Sequence, residues 1–220
     1  MKADSAPRPT ILVLASGSGT NLQALIDASR QRDFPGEIIA VGCNKPGAFA
    51  LERAAQANIK TFVVNHKNFG SREEFDGALM AEILRLNPDL IVLAGFMRIL
   101  TGDFVRAFRG RMLNIHPSLL PAYTGLNTHQ RVLDAGDTTH GVSIHFVTEE
   151  LDGGPVIAQA EVAVTKDDTA EALAGRVQQL EHLLYPIVVR WFCEGRIQLA
   201  ADGVLFDGEA LSHPMRLSDS

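Results

Sequence analysis

Cysteine is scarce in this chain of 220 residues. There are two, Cys43 in an apolar run and Cys193 late in a helical pattern, and neither belongs to a CxxC pair. That argues against a disulfide framework or a cysteine-based metal site and fits reduced, packed thiols of a cytoplasmic protein. No stretch approaches the roughly 18 consecutive apolar residues that a membrane span needs. The first nine residues lack the apolar core of a signal peptide. Positive charge is also short: 20 Lys and Arg stand against 26 Asp and Glu, a net charge of -6. Broad binding to nucleic-acid phosphates is therefore not expected. Seven histidines occur, but no HxH, HExxH or Cys/His cluster, so no metal is expected. His140 and His145, an odd number of residues apart along a strand, should face opposite ways.

What is present reads as one soluble globular domain, with 46% hydrophobic and 21% charged residues. Short apolar runs at 11–14, 37–43, 61–64 and 89–95 predict strands. Helical patterns follow the first three, at about 21–32, after the turn at 44–47, and from a capping box at Ser71 and Glu74 to about residue 86. Near-continuous apolar strands alternating with helices indicate an α/β fold, an open, mainly parallel twisted sheet with helices on both faces. A fifth strand ends near residue 116, two neighbouring strands occupy 141–147 and 155–163, and a long helix runs from about 168 to 194. The expected organisation is a disordered leader at 1–9, a domain at 10–207 and a C-terminal tail at 208–220.

The segment from Asn114 through His116, Pro117, Ser118, Leu119 and Leu120 to Pro121 is the most informative. Two prolines four residues apart stop helix and sheet, leaving a shaped loop. On the extended strand before it, Asn114 and His116 project to the same side. An amide donor then stands beside an imidazole, which suits a carbonyl turning tetrahedral between them. An isolated Asn-x-His can equally end a strand and tie down a loop. Near the N-terminus, Ser16, Gly17, Ser18, Gly19, Thr20 and Asn21 join strand to helix, where backbone N–H groups favour an anion. A dinucleotide fingerprint fails because position 22 is Leu, and a P-loop fails because no Lys follows the glycines. A nest for one phosphate remains, as does a plain tight turn.

The octapeptide ending in Pro121 resembles the signature of the folate-dependent formyltransferases. The Gly/Ser turn is similar to the phosphate-binding turn of the branch that acts on glycinamide ribonucleotide, and the likeness runs from about Ile11 to Phe206. It implies a Rossmann-like formyltransferase fold, 10-formyltetrahydrofolate as formyl donor, glycinamide ribonucleotide as acceptor, no metal, and a place in purine synthesis. The molecule would be a monomer or homodimer in the cytoplasm. The resemblance implies catalytic roles for Asn114, His116 and Asp152, the last standing close to His116 and favouring its protonated form. It implies ribonucleotide binding by Gly19, Thr20, Asn21, Gln178 and Glu181. Formylfolate binding would fall to Arg72, Met97, Arg98, Ile99, Leu100, Asn114, Thr148 and Asp152. Taken alone, Asp152 before two glycines is a turn residue, Arg72 is a solvated first-turn residue, and Gln178 and Glu181 are the polar face of a helix. Ala122, Thr124 and Asn127 depart from the residues commoner in the family. A methionyl-tRNA formyltransferase would carry an added C-terminal domain and Arg-Gly where Tyr123, Thr124 and Gly125 stand. A formylfolate hydrolase would carry an N-terminal regulatory domain, for which a nine-residue leader leaves no room. A non-catalytic nucleotide- or folate-binding module would not need the Asn114, His116 and Asp152 set.

Overall fold

The computed structural model describes residues 7–217. In chain order the elements are β1 (Thr10–Ala15), α1 (Thr20–Ser29), β2 (Glu37–Cys43), α2 (Phe49–Gln56), β3 (Lys60–Val63), α3 (Arg72–Leu86), β4 (Leu90–Leu93) and α4 (Gly102–Ala107). They continue with β5 (Met112–His116), α5 (Thr128–Ala135), β6 (Thr139–Phe146), β7 (Val156–Ala163), α6 (Ala170–Cys193), β8 (Ile197–Ala200), β9 (Gly203–Phe206), β10 (Glu209–Ala210) and β11 (Met215–Arg216). Eight strands make one sheet in the order β11-β7-β6-β5-β4-β1-β2-β3, and β8, β9 and β10 make a small antiparallel one. In the large sheet β6 runs against its neighbours β5 and β7, and the remaining pairings are parallel.

Alternation along β1 shows why the fold has helices on both faces. Ile11, Val13 and Ala15 pack with Leu22 and Ile26 of α1, Val132 of α5 and Val188 of α6. Leu12 and Leu14 point the other way, to Phe75 and Leu79 of α3 and Phe104 of α4. A strand covered on both sides has no polar face to show, hence its unbroken apolar run. Helix α6 is also tied to the sheet by Tyr185, whose fully buried hydroxyl is shared between the carbonyls of Leu93 and Leu113, each at 3.0 Å.

Local signals held with small adjustments. Ser71 caps α3 by accepting the Glu74 amide at 3.1 Å, while the Glu74 carboxylate reaches back to the Gly70 amide at 2.9 Å, one residue earlier than the usual box. Helix α1 stops at Ser29 rather than at Arg32. The Gln31 amide bonds the Ala28 carbonyl and the Phe34 amide the Gln31 carbonyl, turning the chain so that Phe34 is buried before Pro35 and Gly36. Of the leader expected at 1–9, residues 1–6 lie outside the described residues. Arg8 is bonded to the carbonyls of Phe34 and Gly36, at 2.7 and 2.5 Å. The segment expected as a tail joins the fold as far as it is described: β10 pairs with β9, and Met215 and Arg216 add an edge strand to Ala158 and Gln159. Two-residue strands carry no periodicity to read.

The strand order places the site. From β1 the chain winds outward to β2 and β3, then returns to β4 on the other side of β1. At such a reversal the loops after the two strands diverge and leave a crevice at the carboxyl edge. The Ser16–Gly19 turn leaves from β1, Gly95 and Met97 follow β4, and His116 ends β5, all at that edge.

Candidate active site

Two hollows open there. One, of about 650 Å³, lies between the segment after β4, the end of β5 and the loop after β6, with Asn114, His116 and Asp152 in its wall. Phe96, Met97, Ile99, Leu100, Val105, Leu126 and Val147 make most of the rest of that wall apolar, suiting a flat, largely apolar ligand with a few polar edges. The other, of about 220 Å³, is formed by Ser16 to Asn21 together with Lys45, Ala94, Gly95 and Met97. Gly95 and Met97 belong to both, so the hollows adjoin.

Strand register assembles the polar wall. Asn114 and His116 are two apart on β5 and share a face; antiparallel β6 sets His145 opposite Asn114 and Ser143 opposite His116. His145 Nδ1 lies 2.9 Å from the Phe146 carbonyl, so it carries the proton. Its Nε2 is then an acceptor and takes a hydrogen bond from the Asn114 amide nitrogen at 3.1 Å. This fixes which end of Asn114 is the NH₂ group and leaves that group a second N–H to give. Burial, before any other influence, lowers the His145 pKa and keeps the ring neutral and able to accept.

His116 is held from two sides. Its Nε2 donates to the Tyr123 carbonyl at 2.9 Å, and its Nδ1 is 3.4 Å from Asp152 Oδ2. A ring with N–H on both nitrogens meets an acceptor at each; a neutral ring leaves one facing a lone pair. Asp152 adopts a left-handed backbone, φ 52, and accepts the Gly125 amide at 2.8 Å, with 7% of its side chain exposed. A turn residue with its carboxylate buried against a histidine has more than a turn to make.

At the smaller hollow, Gly19 stands at φ 70 as the N-cap of α1, and the carbonyls of the turn are engaged elsewhere. Gly17 O accepts the Ala50 amide, Ser18 O accepts Arg53 Nε at 2.8 Å, and Gly19 O accepts the Gln23 amide. With their carbonyls held away by α2 and, at Gly19, by Gln23 of α1, amides in such a turn suit an anion. Helix α6 braces the turn: Glu181 accepts from the side-chain Nδ2 of Asn21 at 2.7 Å and Gln178 donates to the Thr20 hydroxyl at 3.2 Å. Burial pushes the Glu181 pKa up, and the Asn21 bond opposes that.

Of the residues singled out from sequence, Met97, Arg98, Ile99, Leu100, Thr148, Asn114, His116 and Asp152 come together around the larger hollow. Gly19, Thr20 and Asn21 line the smaller one, and Gln178 and Glu181 touch it through Thr20 and Asn21. Arg72 lines neither hollow: it opens α3 with 47% of its side chain exposed, its Nε 3.9 Å from the Glu73 carboxylate. His140 and His145 do face opposite ways, His140 pairing with His129 of α5 at 3.0 Å and His145 with Asn114. Among the described residues no group of three or more His, Cys, Asp or Glu is placed to hold a metal. Sequence reasoning missed the roles of His145, Lys45, Arg53 and the Tyr123 carbonyl. The β5/β6 register exposes the first, but nothing local to residue 145 announces that register.

Comparison with known proteins agrees with this geometry. The family model described as Formyl transferase matches residues 10–189. Phosphoribosylglycinamide formyltransferase of Escherichia coli is 51% identical over 201 residues, covering 91% of this chain and 95% of that protein. The human trifunctional purine biosynthetic protein adenosine-3 is 43% identical over 193 residues, 88% of this chain and 19% of that much longer one. The solved phosphoribosylglycinamide formyltransferase of Coxiella burnetii superposes with a TM-score of 0.91 at 49% identity, covering 96% of this chain and all of that one.

Proposed function

Because this chain belongs to the formyl transferase family, we propose that its two adjoining hollows serve one reaction between two bound small molecules. The chain is a one-carbon group transferase. It moves the formyl group of 10-formyltetrahydrofolate to the amine of glycinamide ribonucleotide, giving formylglycinamide ribonucleotide and tetrahydrofolate in purine synthesis. The observation that carries the site assignment is the convergence of Asn114, His116 and Asp152 on a cavity that shares Gly95 and Met97 with the amide-lined turn.

In this reading the formyl donor fills the larger hollow, its ring system against Met97, Arg98, Ile99 and Leu100 and its reactive end toward Asn114 and Asp152, with Thr148 on the wall. Arg72 stands outside as a cation for the donor's carboxylated tail. The ribonucleotide phosphate takes the amides of Gly19, Thr20 and Asn21. Gln178 and Glu181 face its sugar, and Lys45 supplies a positive charge at the mouth. The amine attacks the formyl carbon and a C–N bond forms. The carbonyl oxygen becomes an oxyanion, met by the free Asn114 N–H and by the His116 imidazolium. A proton leaves the attacking nitrogen, the departing folate nitrogen gains one, and the old C–N bond breaks. Asp152, 3.4 Å from His116 Nδ1, holds the ring in position.

Cytoplasmic localisation rests on the two buried, unpaired cysteines, whose pKa values burial pushes up to about 11 for Cys43 and about 12 for Cys193. Among the described residues no helix is long and apolar enough to cross a membrane. The reaction is tested by following tetrahydrofolate formation with each substrate omitted in turn and with EDTA present. Turnover should require both substrates and survive EDTA. Product without the amine would point to a hydrolase, and loss on chelation with recovery on zinc would overturn the metal-free chemistry.

A further inference from the structure

The two substrate loops leave neighbouring parallel strands and meet at one side chain. Ser16 directly follows β1; its amide donates to the Gly95 carbonyl at 3.2 Å, and its hydroxyl oxygen accepts the Met97 amide at 2.8 Å. Gly95 has a positive φ of 72, the kink that brings the Met97 N–H back to β1. Ser16 therefore belongs by sequence to the phosphate turn and by bonding to the donor segment. Only 3% of it is exposed, yet it lines the smaller hollow. Its oxygen is occupied by an incoming N–H, so its own proton must be given elsewhere. Among the described residues no group accepts it.

Resting on the reaction assigned above, we infer that the Ser16 hydroxyl is a positioning residue linking the two substrate sites, giving its proton to the ribonucleotide phosphate while it holds the Met97 amide on the formyl-donor side. A hydroxyl that donates to an anion becomes a better acceptor, because each bond in such a chain polarises the next. Phosphate on one side then tightens the hold on Met97 on the other. Met97 begins the run of residues that walls the donor's ring, so the donor binds a better-ordered segment. The effect is reciprocal by linkage: a bound donor favours the acceptor by the same factor. The sequential position of Ser16 suggests service to the ribonucleotide alone, and its hydrogen bonds assign it a second duty.

The test uses whole enzyme, with tetrahydrofolate and inorganic phosphate as probes. Tetrahydrofolate affinity is measured by titration with and without saturating phosphate, in wild type, Ser16→Ala and Ser16→Thr. Wild type should bind tetrahydrofolate roughly 5-fold more tightly with phosphate present, the lower end of ordinary coupling between sites. Ser16→Ala keeps the backbone bond to Gly95 but loses both hydroxyl links. Its ratio should fall to one, and its turnover should suffer through the KM for the formyl donor more than through kcat. Ser16→Thr keeps the hydroxyl and should restore the ratio, which a merely structural role would not require. If Ser16→Ala fails a thermal-melt check for folding, Ser16→Cys, a poor donor and acceptor, must show the lowered ratio instead. A wild type that turns over both substrates without any phosphate effect, or a folded Ser16→Ala that keeps it, overturns the link while the reaction stands. Failure of turnover with the phosphate effect intact overturns the reaction and supports the link.

Discussion

Gly19 offers the sharpest separation of the two ligand sites. A β-carbon there would meet Cα and Cβ of Ala50 at 2.8 Å each, closer than packed carbon atoms tolerate, and one of these atoms is backbone. The crowding falls on α2, behind the turn. The left-handed conformation of Gly19, φ 70, adds about 1–2 kcal/mol for any other residue. Overpacking against a helix that cannot retreat adds roughly 1–3 kcal/mol. A domain with roughly 5–15 kcal/mol of stability survives that total, but the turn relieves it by swinging away from α2. Even one misaligned amide gives up a charge-assisted hydrogen bond of about 1.5–3 kcal/mol, an affinity loss on the order of 10–100-fold. Gly19→Ala and the bulkier Gly19→Val should therefore weaken glycinamide ribonucleotide binding by at least about tenfold while tetrahydrofolate binding changes little. Gly77→Ala is the control, since a β-carbon there meets nothing within 4 Å, no positive φ is required and Gly77 lines neither hollow. Calorimetric titration with each ligand reads the result. Equal losses for both ligands, or ribonucleotide binding as in wild type by a folded Gly19→Val, would refute the placement of the phosphate.

Removing the oxyanion donor in Asn114→Ala should cost on the order of 10²–10³ in kcat with both ligands still bound; a tenfold loss or less would move the donor role elsewhere. Asp152→Asn keeps the hydrogen-bonding shape 3.4 Å from His116 but removes the charge, so kcat should fall while both ligands still bind, and turnover equal to wild type would leave Asp152 a turn residue only. Burial lowers the His140 pKa from 6.5 to about 4. The unfolded chain thus binds a proton the folded one refuses in that window, and stability should fall as pH drops from 6.5 toward 4. Denaturant melts of His140→Gln should show a shallower decline than wild type, and parallel curves would dismiss His140 as the source.

The strands and most helix starts are legible in the linear chain because they depend on local rules. Apolar runs such as Leu90–Leu93 declare strands buried on both faces, Ser71 declares a helix start by its side-chain oxygen, and the Asn114–His116 spacing declares a shared face. Pairings that close over long separations are not legible in that way. Asn114 reaches His145 across 31 residues, Gly125 reaches Asp152 across 27, Ser16 reaches Met97 across 81 and Asn21 reaches Glu181 across 160. Each depends on which strands neighbour which, and in what register. A shift of one residue in the β5/β6 pairing would leave Asn114 and His145 on opposite faces with every local preference unchanged. The sequence by itself determined the strand–helix alternation, the Gly/Ser turn between β1 and α1 and the shared face of Asn114 and His116, since those follow from neighbours along the chain. Only the tertiary structure decided that His145 orients Asn114, that Ala50 and Arg53 hold the Ser16–Gly19 turn from behind, and that Ser16 bonds to the loop after β4, because packing across the sheet reversal brings these distant groups together.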